Sequence, residues 1–149
     1  MKITTLFTLL CALVLAPARA GTIAVDPTSG GVAYAGGVTI GWEFEVTAAE
    51  GITVDGLAFW DNQADGFAFS QTFPVGLWDP STGTLLRSTV ITSSSSLKPS
   101  LHPDGDWRVN PVSPIFLAPG FYRVGALLPD AGANPTVDFS ATVQDGHRN

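Results

Sequence analysis

The stretch GITVDGLAFWDNQADGFAFSQTFPVGLWDPSTGTLL, from Gly51 to Leu86, decides the fold. It holds two strand-like runs, Ile52 to Trp60 and Thr72 to Trp78, each closing on an aromatic residue followed by Asp. Both are rich in β-branched and aromatic residues and are bounded by turn formers. In the first run the alternation slips: Ile52 and Val54 share one face, and Leu57 and Phe59 fall on the other. An extra residue at Asp55-Gly56, a β-bulge, returns all four to the core, and glycine is easily accommodated there. In the second run Phe73, Val75 and Leu77 mark the inner face, and Pro74 places the start of the strand at an edge. Asp61-Asn62-Gln63-Ala64-Asp65-Gly66 is the connecting loop, with Phe67 and Phe69 folding back as a lid. Asp79-Pro80-Ser81-Thr82-Gly83 is a tight turn.

Upstream, Val38, Ile40, Trp42, Phe44 and Val46 alternate with Thr39, Gly41, Glu43, Glu45 and Thr47, the period of a half-buried strand. Trp42 then belongs to the core. Thr22 to Val25 and Val32 to Tyr34 read as a short edge strand and a lead-in. Downstream, Leu85 to Thr92 is a returning strand. Thr92 to Ser96 reads as flexible loop, and Leu97 to Asp106 as a loop holding Pro99 and Pro103. Trp107 to Asn110, Ile115 to Leu117, Phe121 to Leu128 and Thr136 to Val143 are further short strands. Eight or nine short strands without helical periodicity predict an all-β fold, a two-sheet antiparallel β-sandwich of jelly-roll-like form.

Residues 1–20 read as a signal peptide. Lys2 precedes the apolar run Ile3 to Leu15, and Ala18 and Ala20 are the small residues of a cleavage site after Ala20. The run is short for a membrane span, which needs about 20 apolar residues. The single cysteine, Cys11, lies inside it, so the processed chain is expected to lack thiols and disulfides. Residues 21–149 are a single domain's worth of chain. The formal net charge is −6, and loss of Lys2 and Arg19 with the signal leaves −8. That balance disfavours nucleic acid and anionic lipid, which need basic patches.

An ordered set of segments carries a resemblance: Ile52-Thr53-Val54, Phe59-Trp60-Asp61, Asp65-Gly66 with Ala68, Val75-Gly76-Leu77-Trp78-Asp79, Gly83-Thr84-Leu85-Leu86, Trp107-Arg108-Val109, Leu117-Ala118-Pro119-Gly120 and Tyr122-Arg123-Val124-Gly125-Ala126. Over roughly Gly37 to Val143 the chain resembles a β-sandwich domain of unknown function in exported bacterial proteins that end in a PEP-CTERM sorting signal. The resemblance implies export and a role at the cell envelope, and it carries no catalytic residue. Two features depart from the pattern: Ser70 to Pro74 is longer than the usual link, and no sorting tail follows Val143. The last apolar alternation, Val137, Phe139, Ala141 and Val143, runs almost to the terminus, so a form truncated at its C-terminus is expected in preference to an untethered secreted one.

Motifs for chemistry are sparse. The serines lack a nucleophile-elbow context, and His102 and His147 are the only imidazoles. No zinc motif occurs. Glu43 and Glu45 stand about 7 Å apart on one strand face. That spacing also suits paired glycosidase carboxylates, but an open strand face ordinarily carries such residues as solvated charges. Asp61 and Asp65 match part of a calcium loop. Gln63 and Thr72 fall where an EF-hand wants its third and twelfth ligands, so this is no EF-hand. Two readings stay open: a structural calcium held by Asp61, Asp65 and backbone carbonyls, or an Asx-type turn. The alternation turns Trp60 and Trp78 outward, where a pair of indoles would make a glycan platform; packing at the sandwich end is the competing reading. The expectation is a non-catalytic exported structural or interaction module of the envelope or extracellular matrix. Its partners would be extracellular polysaccharide or envelope proteins. The alternative is a carbohydrate-binding module with a structural calcium ion.

Overall fold

The computed structural model describes residues 23–29, 32–33, 37–67, 71–128, 136–137 and 140–143. Its regular elements are strands: β1 (Val25–Ser29), β2 (Val32–Ala33), β3 (Thr39–Val46), β4 (Ile52–Asn62), β5 (Phe73–Asp79), β6 (Thr84–Ile91), β7 (Ser96–Pro99), β8 (Gly105–Leu117), β9 (Gly120–Leu127), β10 (Thr136–Val137) and β11 (Ser140–Val143). No helix among the described residues is long and apolar enough to cross a membrane. Seven strands form two antiparallel sheets, one of order β3-β9-β5-β6 and one of order β4-β8-β7. β1 pairs with β11 and β10 with β2 as separate two-stranded ladders. The run from Thr136 to Val143 is therefore two strands with different partners.

The pairing is nested: β3 lies beside β9 in one sheet and β4 beside β8 in the other. This is the winding of a jelly roll, interrupted by the hairpin β5–β6, which stays within one sheet. Core side chains come from both sheets: Val46, Phe73, Val75, Leu77, Ile91 and Ala126 from the larger, Leu57 and Leu117 from the smaller. Phe59 of the smaller sheet stacks on Phe73 of the larger at 4.1 Å between ring centroids. Phe67 closes edge-on against both, as a lid over this end of the sandwich. Phe69 lies outside the described residues.

The parity slip in β4 is real. Ile52, Val54, Leu57 and Phe59 all meet the core, and the β4–β8 register shifts between Val54 and Gly56. The partner strand is the longer one at this level. Val54 faces Ile115 and Gly56 faces Pro111, so Val112, Ser113 and Pro114 arch opposite Asp55 alone. Arg87 of β6 reaches across to the arch, donating from Nε to the Ser113 carbonyl at 2.7 Å and from Nη2 to the Pro114 carbonyl at 3.2 Å. Carbonyls that lose their ladder partners are thus satisfied from the other sheet.

Several expectations need correcting. Trp107 to Asn110 and Ile115 to Leu117 belong to one strand, because the two prolines, which lack an N–H, fall at the irregular stretch rather than ending the ladder. Ser96 to Pro99, expected as loop, is the edge strand β7, short, mostly exposed, paired on one side only and carrying Lys98 and Pro99. The expectation for Pro74 holds: β5 is an inner strand, but its ladder with β9 begins only at Val75, so the start of the strand is an edge paired on the β6 side alone. Trp42 points inward by parity but is only half-buried and lies outside the buried core; Trp107, 5% exposed, is the deeply buried tryptophan.

Candidate binding surface

The end of β4 places Asp61 in the interior, 1% exposed, with its carboxylate committed. Arg108 Nε on β8 donates to Asp61 Oδ2 at 2.6 Å, and the Gly66 N–H donates to both carboxylate oxygens at 3.3 and 3.1 Å. Arg108 Nη1 donates to the carbonyls of Ser93 and Ser95, and the guanidinium lies 6.0 Å from the centre of the Phe67 ring. One buried ion pair therefore ties the Asp61 loop to the turn between β6 and β7. A calcium ion beside Asp61 would sit against this guanidinium, cation on cation. The geometry makes Asp61 an ion-pair partner and a loop cap. Asp65 is exposed, and no group of three acidic or imidazole metal ligands occurs among the described residues.

The turn held by this pair is strained. Gln63 (φ 67°) and Ala64 (φ 55°) adopt the left-handed region, which costs a non-glycine residue about 1–2 kcal/mol. The Ala64 N–H donates to the Asp61 carbonyl at 3.1 Å, and the Gln63 N–H donates to the Asp104 carbonyl. Between this turn and the loop from Ser100 to Asp106 lies a polar cleft of about 690 Å³. His102 on its wall and Trp60 are set edge to face, with centroids 5.5 Å apart. The His102 Nδ1 accepts the Asp104 N–H at 3.1 Å. Trp60 is also edge-on to Trp107 at 5.5 Å, and its ring covers Gly105. Trp60 is thus packed within an aromatic cluster rather than laid open.

Trp78 lies in the other sheet, near the opposite end of the sandwich, so the two indoles form no joint platform. Register places its surroundings. On the outer face of the four-stranded sheet, Glu43, Arg123 and Trp78 are directly opposite one another across β3, β9 and β5. The next outward row is Gly41, Gly125 and Gly76. A Cβ added at Gly76 would meet Trp78 Cη2, Cζ2 and Cζ3 at 2.3, 2.6 and 2.9 Å, so the six-membered ring lies over the Gly76 Cα. The same ring reaches Gly125, 3.6 Å from where its Cβ would be. At Gly41 a Cβ would strike the Val124 carbonyl oxygen at 1.9 Å, which makes glycine obligatory where β3 meets β9. Arg123 Nε donates to Glu43 Oε2 at 2.8 Å, both side chains being largely exposed. Glu43 is therefore ion-paired, while Glu45 remains a solvated charge beside Phe121.

Of the residues singled out in the sequence, the structure brings Trp78 and Glu43 onto one face and buries Asp61 away from it. Nothing in the sequence marks the glycine row or Arg123 as part of a site. Gly41 is visible as an outward position of an alternating strand, but its alignment with Gly125 and Gly76 depends on strand register. Compared with known proteins, the chain matches no family model, no curated protein and no solved structure.

Proposed function

We propose that this chain is an exported, non-catalytic interaction module of the bacterial cell envelope or extracellular matrix, and that the outer face of its four-stranded sheet is the contact surface. The observation that carries the reading is the row Glu43–Arg123–Trp78 above three aligned glycines. It sets an aromatic plane and a hydrogen-bonding ion pair side by side on rigid strands. The signal-like residues 1–20 and the resemblance to exported envelope domains support the location, and the acidic balance of the chain supports a partner other than nucleic acid.

Fractionation of the native organism, with intact-mass analysis, tests the location. A protein beginning at Gly21 and found outside the cytoplasm is expected; an unprocessed cytoplasmic protein would overturn export. Co-sedimentation with envelope or matrix material tests the surface. Wild type is expected to sediment and Arg123→Glu to stay in solution, because the substitution sets two carboxylates together on the face. Equal sedimentation of the two proteins would reject this face.

A further inference from the structure

The outer face sets an indole laid over glycines and an exposed ion pair in one row. Strand side chains normally stand off the sheet, yet the Trp78 ring lies down along it, over Gly76 and against Gly125. One π face covers backbone, and the side chain as a whole is half-buried. Rows Thr39–Leu127 and Glu43–Arg123 flank the glycine row, about 13–14 Å apart by strand rise, across strands spaced about 4.8 Å. The three rows together span the length of a short oligosaccharide. Beside the indole, at the same level, Arg123 offers guanidinium donors and Glu43 offers carboxylate acceptors, 61% and 46% exposed.

We propose that this face binds a neutral polysaccharide chain, with a sugar ring stacked on Trp78 and its hydroxyls hydrogen-bonded to the Glu43–Arg123 pair. The inference rests on the interaction-module reading and names its ligand class. A sugar ring presents C–H groups on its faces and hydroxyls around its edge, which match an aromatic plane bordered by paired donors and acceptors. Neutrality follows from charge. The two ionic groups compensate each other, and a chain of net charge −6 repels polyanions. Covering Gly76 accounts for the position of the indole, but not for the exposed ion pair set in register with it.

Affinity electrophoresis of the purified exported protein tests the proposal, in gels holding soluble cellulose, laminarin, galactomannan or starch, with alginate as the anionic control. Retardation by at least one neutral polymer and not by alginate is expected. Trp78→Ala should weaken that retardation about tenfold or more, as loss of an aromatic anchor does. Because Trp78 also covers glycines, Arg123→Gln at an exposed position provides a second variant; it should fold as wild type, by near-ultraviolet circular dichroism, and bind more weakly. No retardation by any neutral polymer, retardation by alginate alone, or unchanged binding in Arg123→Gln overturns the proposal. Sedimentation with envelope material without any polysaccharide binding would point to a protein on this face, leaving the interaction-module reading in place and removing the glycan.

Discussion

Asp61 and Arg108 show how one pair can decide what a loop is for. Both are buried, and each keeps further partners: Gly66 for the carboxylate, Ser93 and Ser95 for the guanidinium. Removing one member of such a pair leaves an uncompensated charge, so Arg108→Met is expected to cost about 3–5 kcal/mol in urea unfolding. Asp61→Leu combined with Arg108→Met should recover part of that loss, because neither charge is then left buried alone. Equal losses in the single and double variants would mean that the pair acts only through packing. The same geometry predicts that millimolar calcium leaves the wild-type melting temperature unchanged; a rise abolished by Asp61→Ala with Asp65→Ala would reinstate the ion. Asp79 is a contrasting, exposed case. Hydrogen bonds from the Ser81 hydroxyl and N–H hold its carboxyl below the usual Asp range. A depressed pKa stabilises the fold fully above the ordinary Asp value, and the contribution disappears as pH falls through the folded one. The melting-temperature gap between wild type and Asp79→Asn should therefore narrow in acid.

At the scale of elements, what was legible in the sequence was local. The alternation from Val38 to Val46 defines β3, and the slip at Asp55-Gly56 marks the irregularity in β4, because hydrophobic parity needs no knowledge of a partner. The opposite arch at Val112 to Pro114 was hidden, since prolines read as strand breaks until Arg87 is seen to satisfy the freed carbonyls. β7 was hidden because it is four residues long, follows a serine run and ends in Pro99. The partner of Asp61 is 47 positions away, and the glycine row draws on three strands distant in sequence. Contacts of this kind are set by register, which a single sequence does not display. Two glycine substitutions separate the physical causes. Gly41→Ala forces a Cβ against the Val124 carbonyl and should cost about 1–3 kcal/mol or more as overpacking of the β3–β9 ladder. Gly83 has open space around it but a φ of 70°, so Gly83→Ala should cost about 1–2 kcal/mol from backbone strain alone. Urea midpoints measure both, and a neutral Gly41→Ala would show that β3 and β9 lie further apart than described.

Over the whole molecule, stability rests on the core shared by the two sheets. Cys11 lies within residues 1–20, so a chain processed after Ala20 has no cysteine and should melt identically with and without a reductant. Leu77, 2% exposed, stands on β5 between β9 and β6 and belongs to the core cluster that includes Leu57 and Leu117 of the facing sheet. Leu77→Ala removes buried methyl groups and leaves a cavity between the layers, a loss of about 2–5 kcal/mol. Against a total of about 5–15 kcal/mol for a natural domain, that is a large fraction. If the sheets unfold as one unit, the urea midpoint should fall while the slope of the transition stays unchanged, since the same surface is exposed in one step. Trp42→Ala, at a half-buried position outside the core, should lower the midpoint less despite the larger side chain removed. A Leu77→Ala transition that broadens or splits would show the two sheets separating before they unfold, and a larger loss at Trp42 than at Leu77 would move the centre of the core towards β3.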